Sequence, residues 1–215
     1  IYKIENNQNL PKNTCAITFD GGFENNYSIA APILDDLKIP TTFFFSSDFI
    51  ENNTMSWIDK IELCFEKKKN LVLKLPWLKK TINIHNKKTK LKVLNSIRYN
   101  VKNDFSYAEN EIVDSIYRQC KLKMIMHSNS VIDKKISWLQ VKKMSQNNLF
   151  DIGGHNHHHV SFGSLTKKQV VYEIDKSFKL FKKKGEILLE YYSYPEGQET
   201  DFNDFVIKKL KDKKI

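Results

Sequence analysis

Arginine is almost missing from this chain: Arg98 and Arg118 are the only two among 35 basic residues. Nucleic-acid sites favour arginine for its planar, bidentate fork. The formal charge of +10 is instead carried by lysines dispersed through KKKN, LKK, NKKTK and KLKDKK. With Asn and Ile also abundant, that charge reads as a compositional background, and no nucleic-acid partner is expected. Cysteine is scarce as well. Cys15, Cys64 and Cys120 are odd in number, widely spaced and fit no zinc pattern. They predict buried thiols rather than a disulfide framework, and so a reducing compartment. No apolar run approaches the roughly 20 residues that cross a bilayer. The opening IYKIENNQNLPKN has no apolar stretch of the signal-peptide kind, although the first residue is not Met. Cytoplasmic localisation is the expectation, with the cell envelope as the alternative if an N-terminal segment is removed.

What is present describes one globular domain over residues 1–215, with 40% hydrophobic and 12% aromatic residues. CAITFD (15–20) is an apolar, β-rich run that stops at an acid and two glycines, as a buried strand does when it enters a loop. NNYSIAAPILDDLKI follows, with Ile29, Ile33, Leu34 and Leu37 assigned to one helical face. IPTTFFFSS (39–47) is a second strand, rich in β-branched and aromatic residues. Strand, helix and strand in about thirty residues imply a βαβ unit and a parallel sheet.

Residues 51–136 lose this alternation. They are Lys- and Asn-rich, with helical patterns in SWIDKIELCFEKK and YAENEIVDSIYRQCKLKMI, and are read as a mostly helical insertion. Alternation returns with a helix over 137–148, a strand over 149–155, a helix over 165–185, a strand over 187–195 and a last helix over 201–214. Ser137 and Thr166 stand at helix starts, and Gly185 at a helix end. An alternating pattern calls for at least one further strand after the last helix, so the sheet is expected to be incomplete at the C-terminus.

In parallel α/β arrangements the functional groups gather at the C-terminal ends of strands. Three predicted strand ends are polar: TFDGG (18–22), GGHNHHH (153–159) and YPEGQ (194–198). Within the histidine cluster a spacing of four places His155 and His159 on the same side, as in other two-histidine metal motifs. His157 and His158 then point elsewhere. Lone His85 and His127 read as ordinary surface or hydrogen-bonded residues. Asp20 could cap a helix or turn. Beside a histidine pair on one rim, its carboxylate is better placed to take a proton from a metal-bound water.

ITFDGGFENNYSIAAPILDDLKIPTTFFFSS resembles the opening of the polysaccharide deacetylase (NodB homology) domain, carbohydrate esterase family 4, whose signature runs TFDDG, a Tyr-containing helix and a strand like IPATFF. ISWLQVKKMSQNNLFDIGGHNHHHVSFGSL is similar to its second block, and SYPEGQ to its aromatic-Pro-x-Gly block. The match covers about 12–50 and 137–200 and leaves out the Lys-rich insertion. The resemblance implies a deformed (β/α) barrel that hydrolyses N-acetyl, or O-acetyl or formyl, groups on sugars. It also implies a divalent metal, commonly Zn2+, with Co2+, Ni2+ or Mn2+ as alternatives. By position Asp20 is the general base, and His155 and His159 are metal ligands. The backbone N–H of Glu196, after Pro195, stabilises the oxyanion, with Tyr194 and Pro195 beside the substrate.

Three positions depart from the family pattern. Gly21 stands where the family has its second Asp, the third metal ligand. Asn156 replaces a Ser or Thr, and the late Leu-His pair, whose His is the family's general acid, has no counterpart before Ile215. Glu24 and His157 are therefore candidate substitute ligands. Two functions follow: a metal-dependent deacetylase used in building or modifying surface glycans, or a weak or inactive homologue that binds carbohydrate or serves as a scaffold.

Overall fold

The computed structural model describes residues 6–127, 130 and 132–215. Its main sheet is parallel and has the order β1 (Ile17–Gly21), β2 (Thr41–Phe45), β5 (Phe150–Gly154). β2 is the central strand, and its TTFFF is almost wholly buried, the near-continuous apolar run expected of a strand covered on both faces. Phe43 ties the sheet together across strands, with ring centroids 5.2 Å from Phe19 and 5.4 Å from Phe150. The register sets Gly21 opposite Phe45 and Phe45 opposite Gly154. All three strands therefore end level, and the residues that follow share one rim.

Beyond β5 the sheet continues only as a single parallel bridge from Gly154 to Tyr192. Tyr191 accepts from the Gly154 N–H at 2.9 Å, and the Ser193 N–H donates back to Gly154 at 2.9 Å. The strand expected over 187–195 is thus reduced to these few residues. Among the described residues the sheet is open, and the fold is α/β with a parallel sheet flanked by helices. Glycine is required where β5 meets this bridge, because a Cβ on Gly154 would lie 2.6 Å from the Tyr192 ring.

The crossover from β1 to β2 is a π-helical turn (Asn26–Ala30) running into helix α1 (Ala31–Asp36). Here the sequence expectation fails in part. Leu34 is buried, but Ile29, Ile33 and Leu37 are 57%, 55% and 64% exposed. Residues four apart drift round a helix relative to the buried positions, and the core takes Ala31 and Leu34 instead.

The insertion begins with α2 (Ser47–Asn52) and α3 (Trp57–Lys67), passes through an antiparallel hairpin of β3 (Leu71–Leu73) and β4 (Ile82–Ile84), and ends in α4 (Lys87–Asn103) and α5 (Glu109–Gln119). It is mostly helical, as expected, with the hairpin as an addition. Its apolar residues form their own cluster, including fully buried Ile61, Leu73, Ile84, Ile97 and Ile116. Cys64 and Cys120 are buried within it, while Cys15 is exposed, against the expectation of three buried thiols. The chain then returns through α6 (Trp138–Met144), β5, α7 (Lys167–Leu180) and α8 (Asp204–Lys211). Among the described residues no helix is long and apolar enough to cross a membrane.

Candidate active site

Level strand ends bring Asp20, on β1, and His155, just past β5, to one rim, separated by the central strand. Two strand spacings come to roughly 10 Å between backbones, so side chains must bridge the gap. His155 is 2% exposed. Its N–H donates to Phe45 at 3.1 Å, and its carbonyl accepts from the Ser46 hydroxyl at 2.6 Å. The ring Nδ1 lies 3.0 Å from the Ser193 carbonyl, so it carries the hydrogen and leaves the Nε2 lone pair available.

The loop that follows is shaped by Asn156, which is fully buried and has φ of 50°. Asparagine tolerates that left-handed conformation better than most residues. Its Oδ1 accepts from the His159 N–H at 2.7 Å, and its Nδ2 donates to the Val160 carbonyl at 2.6 Å. One amide thus closes both ends of the turn, which is why it can stand in for a hydroxyl residue there. His159 also has positive φ, 59°. Its ring stacks on Phe49 at 5.4 Å and meets His155 edge-on at 4.9 Å.

The His159 ring is shifted in its titration. Burial holds it at a pKa of about 4, with His155 lowering it further and Glu196 and Asp20 pulling the other way. Burial also brings His155 to about 4. Both rings are therefore neutral at pH 7, the form that can ligate a metal. Asp20 is solvent-accessible as a residue, but its carboxyl lies against protein, and that desolvation raises its pKa while His159 lowers it. A carboxylate raised toward working pH is a better proton acceptor than an ordinary one.

Glu196 has φ of 68°, and its carboxylate is paired with Lys102 of α4, which ties the insertion to the rim. The Tyr194 ring stacks on Phe202 at 4.4 Å and stands edge-on to Phe162, so it is engaged in packing, and Pro195 is buried. The Glu24 carboxylate accepts from Ser28 at 2.9 Å and Gln140 at 3.1 Å. His157 has a different set of neighbours from His155: Nδ1 is 2.8 Å from the Ser47 hydroxyl, and its ring lies 4.2 Å from that of His158. Gly21 has φ of 94°, a conformation that L side chains rarely adopt.

His155 and His159 thus fit a divalent ion as an adjacent, neutral pair with Asp20 alongside. They do not by themselves make a closed triad. Among the described residues, three ligand-bearing side chains come within 4.8 Å of one another at Asp48, His157 and His158. Asp48 was missed in the sequence, although a signal existed: Ser46, Ser47 and Asp48 follow the end of β2 directly, a fourth polar strand end on the same rim. Phe49 and Glu173 carried no such signal, one being apolar and the other mid-helix. Asp48, His158 and His159 line a cleft of about 1290 Å³ whose far wall includes Met55, Trp57, Lys60 and Glu109 of the insertion.

A family model described as polysaccharide deacetylase matches residues 7–214. Curated protein sequences offer no match. Among solved structures, the Streptococcus pyogenes deacetylase PplD, in complex with acetate, is similar at 13% identity and a TM-score of 0.55, over 99% of this chain and 58% of that one. The BpsB deacetylase domain of Bordetella bronchiseptica gives 11% and 0.55 over 99% and 66%. A de-N-acetylase of Aggregatibacter actinomycetemcomitans gives 16% and 0.53 over 99% and 65%. The chain spans less than two thirds of each of these, and at such identities the likeness is one of fold. The family match and the shared fold agree, and the chain belongs to the polysaccharide deacetylase family, whose members hydrolyse amide bonds.

Proposed function

We propose that this protein removes acyl groups, N-acetyl foremost, from a sugar or polysaccharide, using a divalent ion such as zinc held by His155 and His159, in the synthesis or modification of surface glycans. The observation that carries this reading is the His155–His159 ring pair, with centroids 4.9 Å apart just past β5, on the same rim as Asp20 near the level end of β1. A bound divalent ion supplies Lewis-acid polarisation of the acyl carbonyl and a more acidic water. Asp20 accepts the proton of the attacking water. The Ser193 carbonyl fixes the His155 tautomer. The backbone N–H of Glu196 serves the developing oxyanion, and the pairing of its side chain with Lys102 restrains that loop. The cleft between rim and insertion, with Lys60 and Glu109 in its wall, is the groove for the sugar.

Gly21 supports a second reading, a homologue that binds carbohydrate with weak or no catalysis, because a catalytic zinc normally takes three protein ligands. Acetate release from a small glycan panel, with and without added zinc, cobalt or nickel, separates the two. The hydrolase reading expects metal-dependent release that falls at least ~100-fold in Asp20→Asn, the range lost with a general base. Gly21→Asp, run beside it, is expected to tighten metal binding. Its backbone at φ of 94° should also cost the metal-free fold about 1–3 kcal/mol. Glycan binding with no acetate release under any metal sinks the hydrolase reading and leaves the second.

A further inference from the structure

Two histidines of the loop, His157 and His158, take no part in the chemistry above, yet they are built into a set of acidic neighbours. One ligand atom from each of Asp48, His157 and His158 lies within 4.8 Å of the other two. We propose that these three side chains form a second cation site, separate from the His155–His159 pair, for a borderline divalent transition ion such as zinc, cobalt(II) or nickel(II). Two imidazoles and a carboxylate are the donor set such ions prefer, and oxygen-seeking magnesium or calcium would not select it.

The surrounding hydrogen bonds are those of oriented ligands. Nδ1 of His157 is 2.8 Å from the Ser47 hydroxyl, and Nδ1 of His158 is 2.6 Å from Oε1 of Glu173. With Nδ1 carrying the hydrogen on each ring, Nε2 is kept for an ion without giving up the existing bond. A carboxylate that grips a histidine through its other nitrogen is the usual outer support of a metal-bound imidazole. The second oxygen of Glu173 accepts the backbone N–H groups of His157 at 3.0 Å and His158 at 2.8 Å, so the same carboxylate also fixes the main chain. Asp48 is buried. Its Oδ1 accepts from Asn52 at 2.6 Å, which leaves Oδ2 uncommitted.

Two backbone bonds lock the contributing segments to each other: Ser47 N–H to the Asn156 carbonyl at 3.2 Å, and Asp48 N–H to the His157 carbonyl at 2.9 Å. The donors are therefore preorganised from two elements, the start of α2 and the histidine loop. Metal bonds of about 2.0–2.2 Å place donor atoms ~3–3.5 Å apart, so closure from 4.8 Å or less needs only side-chain rotation. Asp48 and His158 line the cleft, so coordination positions left over face the cavity and are open to water or a ligand oxygen. Gly21 leaves the His155–His159 pair one carboxylate short, whereas this triad is complete. The inference does not depend on the hydrolase reading, because it concerns binding alone.

The test is a titration of metal-free protein with zinc against a chromophoric chelator, counting ions per chain. His158→Ala, Asp48→Asn and Glu173→Gln are compared with a His155→Ala/His159→Ala double variant, and each is checked by thermal melting without metal. A site at the triad survives in the double variant and weakens at least tenfold in His158→Ala and in Asp48→Asn, with a loss of about tenfold or more in Glu173→Gln. Asp48→Asn is nearly isosteric and keeps the comparison valid if His158→Ala fails to fold. Zinc binding that disappears in the double variant, or that keeps its affinity when Asp48→Asn or His158→Ala is added to that folded double variant, overturns the proposal and leaves His158–Glu173 as an ion pair only.

Discussion

Three imidazoles, His155, His157 and His159, are each held by burial at a pKa of about 4. In the unfolded chain the same groups titrate near 6.5. Each therefore binds a proton less readily when folded, so its contribution is present above pH 6.5 and is lost as pH falls through 4. Glu109 has the opposite sign. Burial and the nearby Glu196 bring it to about 7, so its contribution is present at low pH and is lost as pH rises through 7. His158 also opposes, since its hydrogen bond to Glu173 raises its pKa, but it is partly exposed and screened. Asp20 and Glu62, raised by desolvation, oppose as well. The three desolvated histidines outweigh these groups. Metal-free protein is expected to gain on the order of a few kcal/mol between pH 4.5 and 6.5 by urea unfolding. A flat profile would mean that the rings are solvated rather than packed. At this same scale spacing was legible in the sequence and partnership was not. The spacing of His155 and His159 was readable, because a four-residue step is a local property. The Glu173 carboxylate beneath His158 was not, because nothing in α7 marks which residues face the loop.

At the scale of elements, legibility followed locality. α6 and α7 begin with capping boxes, Ser137 with Gln140 and Thr166 with Gln169, and both starts were readable from those residues. β1, β2 and β5 were readable as apolar runs stopped by Asp or Gly. The stretch 187–195 looked equally β-like, yet among the described residues it pairs only at Tyr192, because pairing depends on what lies alongside. The meeting of β5 and Tyr192 is also where an added atom should tell most. Gly154→Ala would put its Cβ 2.6 Å from the Tyr192 ring. It is expected to cost about 1–3 kcal/mol as overpacking. The same push moves Ser193, whose carbonyl orients His155, so zinc affinity should drop together with the melting temperature. A Gly154→Ala protein as stable as the parent would show that the bridge yields freely. The α1 face failed for a related reason. Ile29, Ile33 and Leu37 satisfy a helical pattern, but burial is decided by what packs on the helix, and among the described residues they remain exposed.

For the whole molecule, charge and insertion are the two global features. The +10 charge is almost entirely lysine, spread along the chain. Without a clustered, arginine-bearing face, duplex DNA should bind weakly and be lost by about 0.15 M salt. Retention above that salt in a fluorescence anisotropy titration would contradict this. The insertion was readable as a break in strand–helix alternation. Its separate apolar cluster, its hairpin and its role as the far wall of the cleft were not, because they arise from contacts between residues tens of positions apart. Lys102 on Glu196 is one such contact.

By itself the sequence determined the βαβ start, the parallel sheet, the break in alternation at the insertion and the family. These rest on local pattern and spacing, which survive without knowledge of neighbours. Only the tertiary structure decided which carboxylates meet which histidines. It turned a single cluster of four into two ring pairs, His155 with His159 and His157 with His158, the second held by the Glu173 carboxylate. The physical reason is that side-chain partnership is set by the register of strands and the packing of helices. The loop that carries the histidines does not contain that information.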